Sequence, residues 1–118
     1  MKAELKRLHS PDVDDLRNFM PADPENFSVF VQAMIGPVGD DSSESFDLTV
    51  CTPGWLAEGV ERQGPMIGLH HVVVNAFDYD MLVAAVQAFC SRLEGATWPD
   101  IGAKLGTLGR WEFDEYRP

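Results

Sequence analysis

The chain has 118 residues, 45% hydrophobic and 24% charged, with a net charge of −10 from 19 acidic and nine basic residues. That length makes one domain spanning residues 1–118, with enough apolar residues for a core that needs neither disulfides nor metal. The charge argues against nucleic acid and anionic membrane as partners, which are bound through Lys and Arg clusters, and no apolar run approaches the ~20 residues of a membrane span.

The opening, MKAELKRLHS, is charged and lacks the apolar stretch of a signal peptide, so a cytoplasmic protein is expected. Residues 2–9 alternate imperfectly, with Ala3 and Leu5 on one side, as in a short edge strand. Residues 12–25 contain Pro21 and Pro24 and read as an irregular crossover. Residues 27–35 form a strong strand. Phe27, Val29, Val31, Ala33 and Ile35 share one face, while Phe30 and Met34 on the other suggest cover there too. The run GPVGDDSS at residues 36–43 is turn chemistry throughout. Residues 45–51 then alternate cleanly, with Phe46, Leu48 and Val50 to one side. Two strands joined this way predict an antiparallel hairpin with a long loop.

Thr52 and Pro53 fit the N-cap and first position of a helix, predicted to run about two turns over residues 55–60 and to end at Gln63-Gly64-Pro65. Residues 69–76, centred on Val72-Val73-Val74, read as another strand. Asp78 caps the longest predicted helix, residues 79–94, whose apolar face is Leu82, Ala85, Val86, Phe89, Cys90 and Leu93, with Gly95 as its stop. Thr97-Trp98-Pro99-Asp100 opens a further helix with the stripe Trp98, Ile101, Leu105 and Leu108. Residues 110–116 close the chain as a half-buried strand, Trp111 and Phe113 alternating with Glu112 and Asp114. The expected fold is α+β: a mostly antiparallel sheet of about five strands with two to three helices packed on one face.

The residue types that carry chemistry do not converge. Cys51 and Cys90 lie in apolar surroundings and read as reduced packing residues. His70 and His71 are adjacent on a predicted strand, so their side chains diverge, and no metal-ligand spacing is present. The GPVGDD loop lacks a Lys, loses a donor at Pro37 and places Asp40 and Asp41 where they would repel phosphate. No enzyme, metal or cofactor is expected on these grounds, and an interaction role remains. The acidity is concentrated: residues 12–47 hold nine of the 19 acids and a single base, Arg17. Such a field steers basic protein partners.

Four stretches together resemble the immunity protein 8 family of bacterial polymorphic toxin and contact-dependent inhibition systems. They are MKAELKRLHSPDVDDL, IGPVGDDSSESFD, SFDLTVCTPGWL and WPDIGAKLGTLGRWEFDEY, covering nearly the whole chain in the family's order. The resemblance implies a non-enzymatic protein that binds the toxic domain of a cognate effector and blocks it. Many such toxins are nucleases with basic clefts, which an acidic surface fits. On that basis Asp12, Asp14, Asp15, Asp23, Glu25, Asp40, Asp41 and Glu44 are the expected toxin-facing residues. The 36–44 loop and the 12–25 crossover are expected to lie near each other, with the first three strands as neighbours. The alternative is a non-catalytic regulatory domain for a small molecule. It would need an apolar pocket with convergent polar groups, for which the sequence offers no constellation.

Overall fold

Strand alternation and helix caps set the elements. The computed structural model describes residues 1–113, which form β1 (Ala3–His9), a 3-10 turn (Leu16–Asn18), β2 (Ser28–Pro37), β3 (Glu44–Cys51), α1 (Pro53–Gln63), β4 (His71–Val73), α2 (Tyr79–Ser91), α3 (Trp98–Leu105) and β5 (Arg110–Trp111). The architecture is the expected α+β. The sheet order is β1-β2-β3-β4, and β5 pairs with β3. The first three strands are antiparallel neighbours, and β5 is antiparallel to β3. β4 runs parallel to β3 because α1 carries the chain back across the sheet between them.

Register explains which residues are buried. Val31 pairs with Leu48, Ala33 with Phe46 and Val29 with Val50, all on one face. Leu5 and Leu8 join that face opposite Ile35 and Ala33, across a bulge between Leu5 and Arg7. α2 contributes Leu82, Val86 and Cys90 to this core, and α3 contributes Ile101 and Leu105. At one end of this core Phe19 of the crossover meets Phe27 and Phe77 edge to face, at 6.0 and 5.1 Å between ring centroids.

Four elements depart from expectation in length. α2 ends at Ser91 rather than 94, closed by a tight turn in which the Arg92 and Leu93 N–H groups donate to the Phe89 and Cys90 carbonyls, so Gly95 is not its stop. α1 continues to Gln63 because nothing in residues 53–63 breaks it; it ends at Gly64, whose φ of 88° favours glycine. Thr52 Oγ1 caps it by accepting the Trp55 N–H, and also accepts the Phe27 N–H. β4 shrinks to three residues because His70 takes φ of 63°, bending the chain into the strand, while its Nε2 donates to the Gly106 carbonyl at 2.8 Å. The closing strand keeps only Arg110–Trp111, with Glu112 and Phe113 in a turn; residues 114–116 of the expected strand lie outside those described.

α1 stands apart from the core. It buries no residue, and its Trp55 ring lies 6.2 Å from the His71 ring. His71 pairs with Thr49, on the sheet face opposite α2 and α3. The helix carries two glycines and three charged residues, too few apolar positions for a continuous stripe.

Gly102 shows how closely α3 is seated. A Cβ there would lie 2.7 Å from the Trp111 indole, itself stacked on Phe46 at 6.1 Å. Gly102→Ala is expected to destabilise by about 1–3 kcal/mol through overpacking, read as a lowered urea midpoint at unchanged slope.

Candidate functional site

Chemistry-bearing side chains come first. Cys51 and Cys90 are buried free thiols. Burial raises the Cys51 thiol and pushes Cys90 up to about 11 from an ordinary 9.0, the opposite of what a nucleophile needs. The folded protein therefore keeps the Cys90 proton where the unfolded chain has lost it. Its contribution to stability is full below pH 9 and falls as pH rises towards 11. Cys90→Ala is expected to flatten the alkaline decline in Tm across that window, relative to the native chain.

His70 and His71 are both half-buried and diverge: His70 reaches Gly106, and His71 Nδ1 donates to the Leu69 carbonyl at 2.7 Å. Among the described residues no group of three or more His, Cys, Asp or Glu is placed to share a metal, and no helix is long and apolar enough to cross a membrane. On the sheet face opposite α2 and α3, the register aligns His9, Gln32 and Asp47 in one half-buried row. Gln32 Nε2 donates to Asp47 at 3.2 Å, so its oxygen faces His9, whose Nε2 donates to it at 2.8 Å. Nothing in the sequence pattern marks this polar row, because its members are adjacent only across strands.

The acids divide into two poles. The crossover follows the end of β1 and precedes β2, placing Asp12, Asp14, Asp15, Asp23 and Glu25 at one end of the sheet. The hairpin that bears Asp40 and Asp41 joins β2 to β3 at the other end. Between them lies the ten-residue β2, about 30 Å at ~3.3 Å per residue. The expected closeness of the two segments is thus corrected. The three strands are neighbours, but antiparallel connections alternate ends, and a long β2 holds them apart.

The two poles differ in neutralisation. At the hairpin pole, Lys6 projects from the bulge and donates to Glu4 Oε1, to the Pro37 carbonyl at 3.1 Å and to the Asp40 carbonyl at 2.6 Å. The Asp40 carboxylate accepts the Ser42 N–H at 2.7 Å, which holds it below the usual carboxylate range. At the crossover pole the acids accumulate. α2 begins there, because β4 ends beside the end of β3, and brings Asp78 and Asp80. Glu58 of α1 joins them through Asn26. Arg17 pairs with Asp80 at 3.1 Å and lies over the Tyr79 ring at 4.4 Å. Asp12, Asp14, Asp15, Asp23 and Glu25 are all exposed.

Glu44 belongs to neither pole. It is half-buried on the core face opposite Ile35, where one oxygen accepts the Trp98 indole N–H at 2.7 Å and the other that of Trp111 at 2.8 Å. The carboxylate clasps α3 and β5 to the start of β3.

Beside the crossover pole lies an apolar groove of about 460 Å³ between β4 and α2, lined by Val72 to Ala76, Asp78, Met81, Leu82 and Ala85. Met81 is 70% exposed along it, and Val73, on its rim, is 52% exposed with its side chain on the other sheet face. What the fold and these surfaces define is an α+β domain with a strongly acidic end and an open apolar edge next to it. Residues 3–116 match the family model described as Immunity protein 8, and the chain belongs to that family of immunity proteins. The family gives the chain an immunity role and implies a cognate toxin protein as its partner. No curated protein and no solved structure matches the chain.

Proposed function

We propose that this protein neutralises its cognate toxin domain by direct, stoichiometric and non-catalytic binding in the cytoplasm, and that the acidic crossover pole meets a basic surface of the toxin. The pole's composition carries this reading. Asp12, Asp14, Asp15, Asp23, Glu25, Asp78 and Asp80 collect at one end of the sheet, where Arg17 is already paired with Asp80. A one-sign patch of this kind accelerates encounter with a basic partner, and a nuclease cleft is the natural basic target. The hairpin acids Asp40 and Asp41 form a separate, secondary candidate, because Lys6 binds the backbone of their loop. Glu44 serves the fold through its indole contacts.

Expression of the adjacent toxin domain with and without this chain tests the reading, followed by calorimetry of the purified pair. Rescue with tight one-to-one binding that weakens with salt is the expected result. A folded chain that neither rescues nor binds would refute it.

A further inference from the structure

Building on the immunity reading, we infer that the β4 edge and its groove against α2 receive an extended segment of the toxin domain, added as a strand beside β4, with basic residues of that segment directed to the acidic pole. The backbone states the first requirement. The Thr49 N–H donates to the His70 carbonyl and the Val74 N–H to the Cys51 carbonyl, both at 2.8 Å. With the parallel register of β4 on β3, residues 70, 72 and 74 therefore turn their backbone groups inward to β3, and His71 and Val73 turn theirs outward. β4 is the last strand of the sheet on that side, so among the described residues this edge has no strand partner. Outward N–H and C=O groups on an apolar edge form a template for strand addition.

Side chains state the second requirement. The groove beside the edge is walled by α2, giving a strand-and-helix cleft in which alternate side chains of an added strand can bury. Met81 and Ala85 of α2 are exposed along it. Charge selects the occupant. β4 ends and α2 begins at the acidic pole, so the groove opens at Asp78, with Asp80, Asp14 and Asp15 grouped around Arg17 and Tyr79 nearby. An extended segment with apolar residues along the groove and Lys or Arg at that mouth matches both features, whereas an acidic segment would be repelled.

Two variants test this with the full chain and its toxin domain in calorimetry, after circular dichroism has shown that each is folded. Val73→Pro removes an outward N–H without touching the ladder to β3, a substitution edge strands tolerate. Ala85→Arg, on the exposed wall of the groove, fills it and repels a basic segment. Each is expected to raise Kd by roughly tenfold or more, and amide exchange at His71 and Val73 is expected to slow in the native complex. Wild-type affinity in both folded variants would overturn the inference while leaving the immunity reading intact. A native dimer that Val73→Pro dissociates with toxin binding unchanged would also overturn it, by showing that a second copy occupies the edge. Failure of the native chain to bind the toxin at all would instead defeat the immunity reading on which this inference rests.

Discussion

Replacing Glu44 with Ala is expected to lower the unfolding free energy by about 2–4 kcal/mol, since two hydrogen bonds to a charged acceptor are lost at once. The Trp98 and Trp111 indole N–H groups share this one carboxylate at 2.7 and 2.8 Å. Both donors are part-buried, so neither recovers a full water partner when the acceptor goes. The loss also unties the start of α3 and the two-residue β5 from the start of β3, which this carboxylate joins. Glu44→Gln keeps one acceptor oxygen and is expected to lose about half as much. Urea unfolding of the three proteins measures both effects. Near-native stability in Glu44→Ala would show that the clasp contributes little, and would return Glu44 to the pool of partner-facing acids.

Charge reversal at the crossover pole is expected to produce the second large effect. With Asp14→Lys, Asp15→Lys and Asp23→Lys combined, the association rate for the toxin domain is expected to fall about tenfold to a hundredfold at low salt, and its salt dependence to flatten. All three side chains are exposed, and only the loop hydrogen bonds from Asn18 to Asp15 and from the Glu25 N–H to Asp23 are lost, so stability is expected to change little. Asp40→Lys with Asp41→Lys is the matched comparison from the other end of β2. A smaller rate effect is expected there, where Lys6 already supplies a cation. Stopped-flow association across a salt series separates the two poles. If the hairpin pair slows association more than the crossover triple, the toxin docks at the opposite end from the one proposed.

Most elements of this fold could be read from local patterns, because their causes are local. Phe46, Leu48 and Val50 alternate and form the inner face of β3. Asp78 and Thr97 accept the N–H groups of Met81 and Asp100, as their positions before apolar stripes implied. The same stripes name the core residues of α2 and α3, except that Ala85, expected on the inner face, is exposed at its margin. Where local reading fell short, a nonlocal contact intervened. β4 begins only after His70, whose bend is secured by a carbonyl 36 residues away. Residues 110–111 find a short stretch of β3 just before the start of β4, and pairing stops there among the described residues.

The candidate surface divides in the same way. Its acidity and the concentration of acids in one third of the chain are properties of composition, and so is the expectation of a basic protein partner rather than nucleic acid or anionic membrane. The resemblance to immunity proteins also lay in the order of short stretches, and the family match over residues 3–116 bears it out. Tertiary structure alone decided which acids stand together. The 12–25 and 36–44 segments flank the same strand in sequence, yet the length and antiparallel pairing of β2 set them at opposite ends. Conversely Asp78 and Asp80, some 60 residues downstream, join the crossover acids, since the α1 crossover returns β4 parallel to β3. Periodicity and caps report each residue's immediate neighbours. Which ends of which strands meet depends on how the connections cross the sheet, and that is settled only when the whole core packs.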